Sequence, residues 1–203
     1  MKIVQFTDLC ERKMNKKIKG YVSMVLGILF CVSVLVGYIP IPEYAIELTC
    51  ISNMCVGVLL FCTGINLIIK EKFFSSTIYH MLLVTILLVC LVSCIGQFNF
   101  KGAFFFLHLV NPLVFLIYYI IFIDDTKGIK KILLTPIPVM IYLVFDYIIG
   151  MVRGNFVYGI FEVNEMNITL IISIGGSVYA LVLIIAFVTY YINQKMRLIA
   201  WEE

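Results

Sequence analysis

Six apolar runs alternate with short polar segments along the 203-residue chain. They cover about 19–39, 45–69, 75–95, 103–123, 132–151 and 168–193. Each matches the roughly 20 residues that a helix needs to cross a hydrocarbon core of about 30 Å. Pro40, Pro42 and Glu43 close the first run, and Lys70-Glu71-Lys72 closes the second. Gln97, Asn99 and Lys101 mark the turn after the third, Asp124 to Gly128 follow the fourth, and residues 152–167 form the longest loop. Pro136 and Pro138 fall in the first turns of the fifth run. A basic head precedes the first run, as in a signal peptide. Tyr21–Ile39 is too long for that reading and no small-residue cleavage pattern follows, so it is read as a retained span. The pattern predicts an all-α, polytopic integral membrane bundle of six transmembrane helices, one domain over residues 1–203.

Composition agrees. Hydrophobic residues make up 63% of the chain and charged residues 13%, with a mean hydropathy of +1.08. No soluble interior holds that much apolar surface. The basic residues have a topological explanation. Thirteen of the 15 Lys and Arg fall in the N-terminal segment, the 2–3 and 4–5 loops and the C-terminal tail, and only Lys101 and Arg153 fall at the other face. Their asymmetry puts both termini in the cytoplasm. There is no basic patch with interleaved aromatics, so no nucleic-acid partner is expected. Six of the seven cysteines lie inside apolar runs and no CxxC pair occurs. They read as small buried hydrophobes, with Cys50 and Cys94 as one conceivable outer-face pair. No metal site and no cofactor are expected.

One span is interrupted. His108 stands in the fourth run, with Asn111 and Pro112 one turn later. Ionisable groups at membrane depth are costly and face the bundle interior or a cavity. Pro112 has no N–H, which frees the carbonyl of His108 and predicts a kink. At a rise of about 1.5 Å per residue, Thr49, His108 and Asp146 all lie within roughly 5–10 Å of the lysine-poor boundary. Asn53 falls one turn below Thr49 and Asn111 one turn below His108, each on its partner's face. Thr49, Asn53, His108, Asn111 and Asp146 therefore form a predicted polar layer. Its chemistry suits acyl transfer: a neutral imidazole activates a threonine hydroxyl, and amides donate to an oxyanion or place the histidine. The same residues also fit a layer that only ties helices together, or a proton-coupled carrier using His108 and Asp146. Asp146 is further expected to pair with Arg153, and His80 to sit at the inner interface. The tyrosines at 118, 119, 142 and 147 are expected to be belt or packing aromatics.

The chain resembles the androgen-induced-gene family of six-span membrane proteins, in particular its bacterial relatives. Leu48-Thr49-Cys50-Ile51-Ser52-Asn53 is similar to the FT-x-x-S-N pattern that opens the second span there. Phe106-Leu107-His108-Leu109-Val110-Asn111-Pro112 is similar to LLH-x-x-x-P in the fourth span. Arg153-Gly154, then Tyr158 to Glu162-Val163, follow the form of the loop after the fifth. The chain departs from the pattern at Phe104 to Phe106 and in Phe156-Val157-Tyr158-Gly159-Ile160, which lacks the prolines. The resemblance implies a threonine hydrolase of lipid metabolism in a bacterial plasma membrane, acting on fatty acid esters of hydroxy fatty acids. It implies Thr49 as nucleophile and His108 as the second essential residue. An acyl pocket is expected between the second and fourth spans, walled by Val56, Leu60, Phe115 and Tyr119. The alternative is a non-enzymatic membrane protein that binds a lipid or a partner.

Overall fold

In the computed structural model the described residues are 16–69, 73–96, 100–124, 128–157 and 167–201. Glu162 and Val163 of the family-like loop, and Cys10, lie outside them. Six helices are long and apolar enough to span a membrane, and no strand occurs among the described residues. They are α1 (Lys16–Tyr38), α2 (Leu48–Ile69), α3 (Ser76–Ile95), α4 (Ala103–Phe122), α5 (Ile137–Arg153) and α6 (Ile168–Trp201). The six-span, all-α expectation is met.

The ends differ from the expected ones for local reasons. The fifth span begins with a 3-10 segment, Ile129–Leu134, and the α-helix starts only at Ile137, behind Pro136 and with Pro138 in its first turn. Proline is tolerated there because its missing N–H is one that no intrahelical carbonyl needs. Gly154 closes α5 in the left-handed region at φ 78°, its N–H on the Gly150 carbonyl. α6 runs past its apolar stretch through Gln194 and Lys195, where nothing breaks a helix.

α1 and α2 share the largest interface. Gly20 and Gly27 on one helix meet Gly57 and Gly64 on the other, each pair seven residues apart. A Cβ added at Gly27 would lie 2.5 Å from the Phe61 amide nitrogen and 2.7 Å from the Gly57 carbonyl oxygen. The two backbones therefore touch, as small residues permit in membrane helices. The main core joins α1 to α4 through Phe30, Val56, Leu60, Tyr79, Leu83 and Phe115. α5 and α6 dock beside α3, around Val84, Val139 and Val182. α6 is the least buried span. Large apolar side chains such as Val36, Ile69, Ile141 and Ile184 point outward, where lipid would meet them.

The six described cysteines form no disulfide, Cys50 and Cys94 included. Among the described cysteines only Cys50 is buried, while Cys55, Cys62 and Cys94 lie on exposed faces. The expectation of buried cysteines therefore fails for those three: an apolar run in a bilayer is as content facing lipid as facing its neighbours.

Two outcomes follow from this hairpin. Gly27→Ala should lower the thermal midpoint, at a cost of about 1–3 kcal/mol, because the methyl meets backbone that cannot yield. The second concerns Glu47, just before α2, whose Oε2 accepts from the Tyr38 hydroxyl at 2.7 Å. Burial pushes its carboxyl above the ordinary range, and the Tyr38 hydrogen bond opposes that. A folded value above the unfolded one gives stability that is full at low pH and lost as pH rises through the folded value. Glu47→Gln should therefore match the native midpoint at about pH 4 and exceed it at about pH 7.

Candidate functional site: a polar layer beside an apolar cavity

The interruption in α4 takes a specific form. Phe106–Val110 is a π-helical turn, and the Asn111 N–H reaches back five residues to the Phe106 carbonyl. π-turns within α-helices recur at functional sites. In this register the donor due to the Leu107 carbonyl is residue 112, a proline. The orphaned carbonyl is therefore that of Leu107, one position earlier than the α-register places it.

Asn53 supplies the missing donor. Its Nδ2 donates to the Leu107 carbonyl at 3.2 Å and to the Thr49 carbonyl of its own helix at 2.9 Å. Asn111 Nδ2 donates to Asn53 Oδ1 at 2.8 Å and to Ser33 Oγ of α1 at 2.9 Å. Both amide hydrogens of each asparagine are thus engaged. The two amides bridge α1, α2 and α4 and hold the backbone next to His108. In this arrangement they do not act as free oxyanion donors; placing the histidine is the part of their expected role that the geometry supports.

His108 is buried, at 6% exposure, with the rings of Phe100 and Phe104 each centred 5.7 Å from the imidazole. Thr49 is buried in the first turn of α2. It lines a cavity of about 630 Å³ bounded by α2, α3, α5 and α6, together with Ser93, Asp146, Tyr147 and Gly175. His108 is not in that lining. One amide, Asn53, connects the Thr49 carbonyl to the residue before His108, so the two are neighbours through the backbone.

Three expectations are corrected here. Val56, Leu60, Phe115 and Tyr119 are fully buried members of the central core, not pocket walls. The cavity lies on the other side of α2, because α1 already fills the space against α4. Asp146 forms no ion pair with Arg153; its Oδ1 accepts the Val157 backbone N–H at 2.9 Å, where the chain turns back after Gly154. It belongs to the cavity rather than to the Asn53–Asn111 bridge. His80 keeps its place near the lysine-rich end of α3, but protein covers it fully. Its ring stacks on Tyr119 at 5.4 Å, and its Nε2 lies 3.0 Å from Thr189 Oγ1 of α6.

That second Thr–His pair has a different character. The Thr189 hydroxyl also reaches the Ile185 carbonyl of its own helix at 2.8 Å, so its one proton has a backbone acceptor besides the imidazole. Ser23 repeats the logic, donating to the Lys19 carbonyl and accepting from the Tyr118 hydroxyl. Thr63, on the Leu59 carbonyl, likewise accepts from Tyr79. None of these hydroxyls lines the cavity. They are helix ties.

Asn53→Ala should destabilise the protein by roughly 1–3 kcal/mol, since it strands the Leu107 carbonyl in a dry interior. Thr85→Val is the control, because that hydroxyl bonds only the Met81 carbonyl of its own helix. Thermal unfolding in one detergent should separate the two variants, with Thr85→Val close to native.

Comparison with family models, with curated proteins and with solved structures returns no match.

Proposed function

We propose that the chain is a multi-pass membrane hydrolase that takes a lipid acyl ester into the cavity between α2, α3, α5 and α6 and cleaves it with Thr49. The observation that carries this reading is the position of Thr49. Thr49 puts a hydroxyl at the lysine-poor end of a mostly apolar cavity, and Asn53 links its backbone carbonyl to that of Leu107, the residue before the buried His108. The resemblance of the Thr49 and His108 segments to the androgen-induced-gene family supports it. A pocket for a mostly apolar ligand needs only a few polar groups at its head.

The chemistry runs in two halves. Thr49 Oγ1 attacks the acyl carbon while the neutral imidazole of His108 takes the hydroxyl proton, and that proton passes to the departing alcohol. A water molecule, deprotonated by the same imidazole, then releases the fatty acid and restores the threonine. The base approaches from the protein side of α2 and the substrate from the cavity side. Thirteen basic residues at one face and two at the other support cytoplasmic termini and a Thr49 end at the outer leaflet, and the family resemblance supports a bacterial plasma membrane as the setting. The substrate arrives sideways through the bilayer.

A second reading rests on a specific observation. His108 is absent from the cavity lining, and the Asn53 and Asn111 amides are spent on helix bridging. A lipid-binding protein without chemistry has the same features.

Catalysis separates the two. Thr49→Ala, His108→Ala and the double variant should each lose about 10²–10⁴-fold in rate on a fluorogenic acyl ester, and the losses should not add. A fluorophosphonate should label Thr49 in native protein, located by mass spectrometry. Full activity in folded Thr49→Ala protein would leave the binding reading in its place.

A further inference from the structure

The cavity has one strongly polar feature that the hydrolase reading leaves unused. Its lining is aliphatic and aromatic apart from Thr49, Ser93, the tyrosines at 142 and 147, and Asp146. Among the described residues that line it, Asp146 is the only carboxylate, and no Lys, Arg or His faces it. Asp146 Oδ1 is anchored by the Val157 N–H. Among the described residues, no hydrogen bond or ion pair engages the second oxygen. The volume of about 630 Å³ lies in the range of one small ligand.

A cavity with one negative group and no compensating cation discriminates by charge. A second anion brought next to Asp146 in a low-dielectric space is repelled, and no cation in the lining offsets that repulsion. A head that donates hydrogen bonds meets the opposite situation, because a carboxylate is an acceptor only. We infer that the cavity binds a single-chain lipid whose head donates hydrogen bonds and carries no negative charge, with Asp146 reading that head, and that it rejects the same chain bearing an anionic head.

The inference rests on the lipid-pocket part of the proposed function, not on its chemical step. It narrows the substrate to esters without a free acid at this end. It also gives Asp146 a part in turnover, since hydrolysis creates a carboxylate in the cavity and Asp146 repels it. Asp146 is here a specificity group and takes no proton from the reacting atoms.

Ligands that cannot be hydrolysed isolate binding from catalysis. The purified full chain is equilibrated with an uncharged fluorescent pyrenyl alkyl alcohol. The probe is then displaced by 1-O-dodecylglycerol, by dodecylamine or by dodecanesulfonate, which share one chain length. The first two should displace it at concentrations at least about tenfold lower than the sulfonate, and Asp146→Asn should shrink that gap to about twofold. The order of the first two identifies a hydroxyl or an ammonium as the better head. Equal displacement by dodecylglycerol and dodecanesulfonate in native protein would overturn the inference without recourse to a variant. A gap that persists in Asp146→Asn would overturn the role of that carboxylate. Neither result touches the Thr49 chemistry, because ethers, amines and sulfonates are not substrates.

Discussion

A backbone carbonyl without a donor is expensive in hydrocarbon, where no water replaces the missing partner. Pro112 creates one such carbonyl, and the π-turn of α4 assigns it to Leu107. Much of the lysine-poor half answers that constraint. Asn53 must reach across from α2, which fixes the separation and rotation of α2 against α4. Its Oδ1 is then satisfied by Asn111, whose second hydrogen goes to Ser33 and brings in α1. Three helices are pinned at one depth by one proline, and Thr49 and His108 inherit their positions from that pin.

The bundle divides into a sealed part and a seam. α1 and α2 meet backbone to backbone through glycines, and α3 and α4 close the aromatic core around them. α5 and α6 pack against α3 but meet each other only briefly, and the cavity lies where they fail to meet. Polar pairs at the lysine-rich end tie the helices, Ser23–Tyr118 and Thr63–Tyr79 within the closed part and His80–Thr189 between α3 and α6. Each uses a hydroxyl that also bonds a carbonyl of its own helix.

Depth was legible in the sequence and azimuth was not. The spacing of apolar runs places all six spans within a few residues, and rise per residue puts Thr49, Asn53, His108 and Asp146 near one boundary. Which neighbour a face meets depends on the order of helices around the bundle, and hydropathy carries no such information. The sequence therefore points the pocket toward α4, although α1 occupies that space. Spacing along the helix points Asp146 to Arg153, because its partner, the Val157 amide, is reached only once Gly154 turns the chain. The position of His80 near a span end tells its depth but not that Thr189 of α6 meets it there. The seven-residue glycine spacing on α1 and α2 was readable, and it signals the closest contact in the fold.

The seam also sets how the protein behaves outside its native bilayer. An apolar gap of about 630 Å³ that opens among membrane helices does not stay vacant, because lipid tails or detergent chains enter it. Whatever occupies it in the folded state stabilises that state by mass action. The docking of α5 and α6 is thus linked to the amphiphile that surrounds them, whereas the glycine-sealed hairpin is not. Extraction therefore acts on the two halves unequally: a change of detergent titrates the seam while leaving the α1–α2 contact as it is.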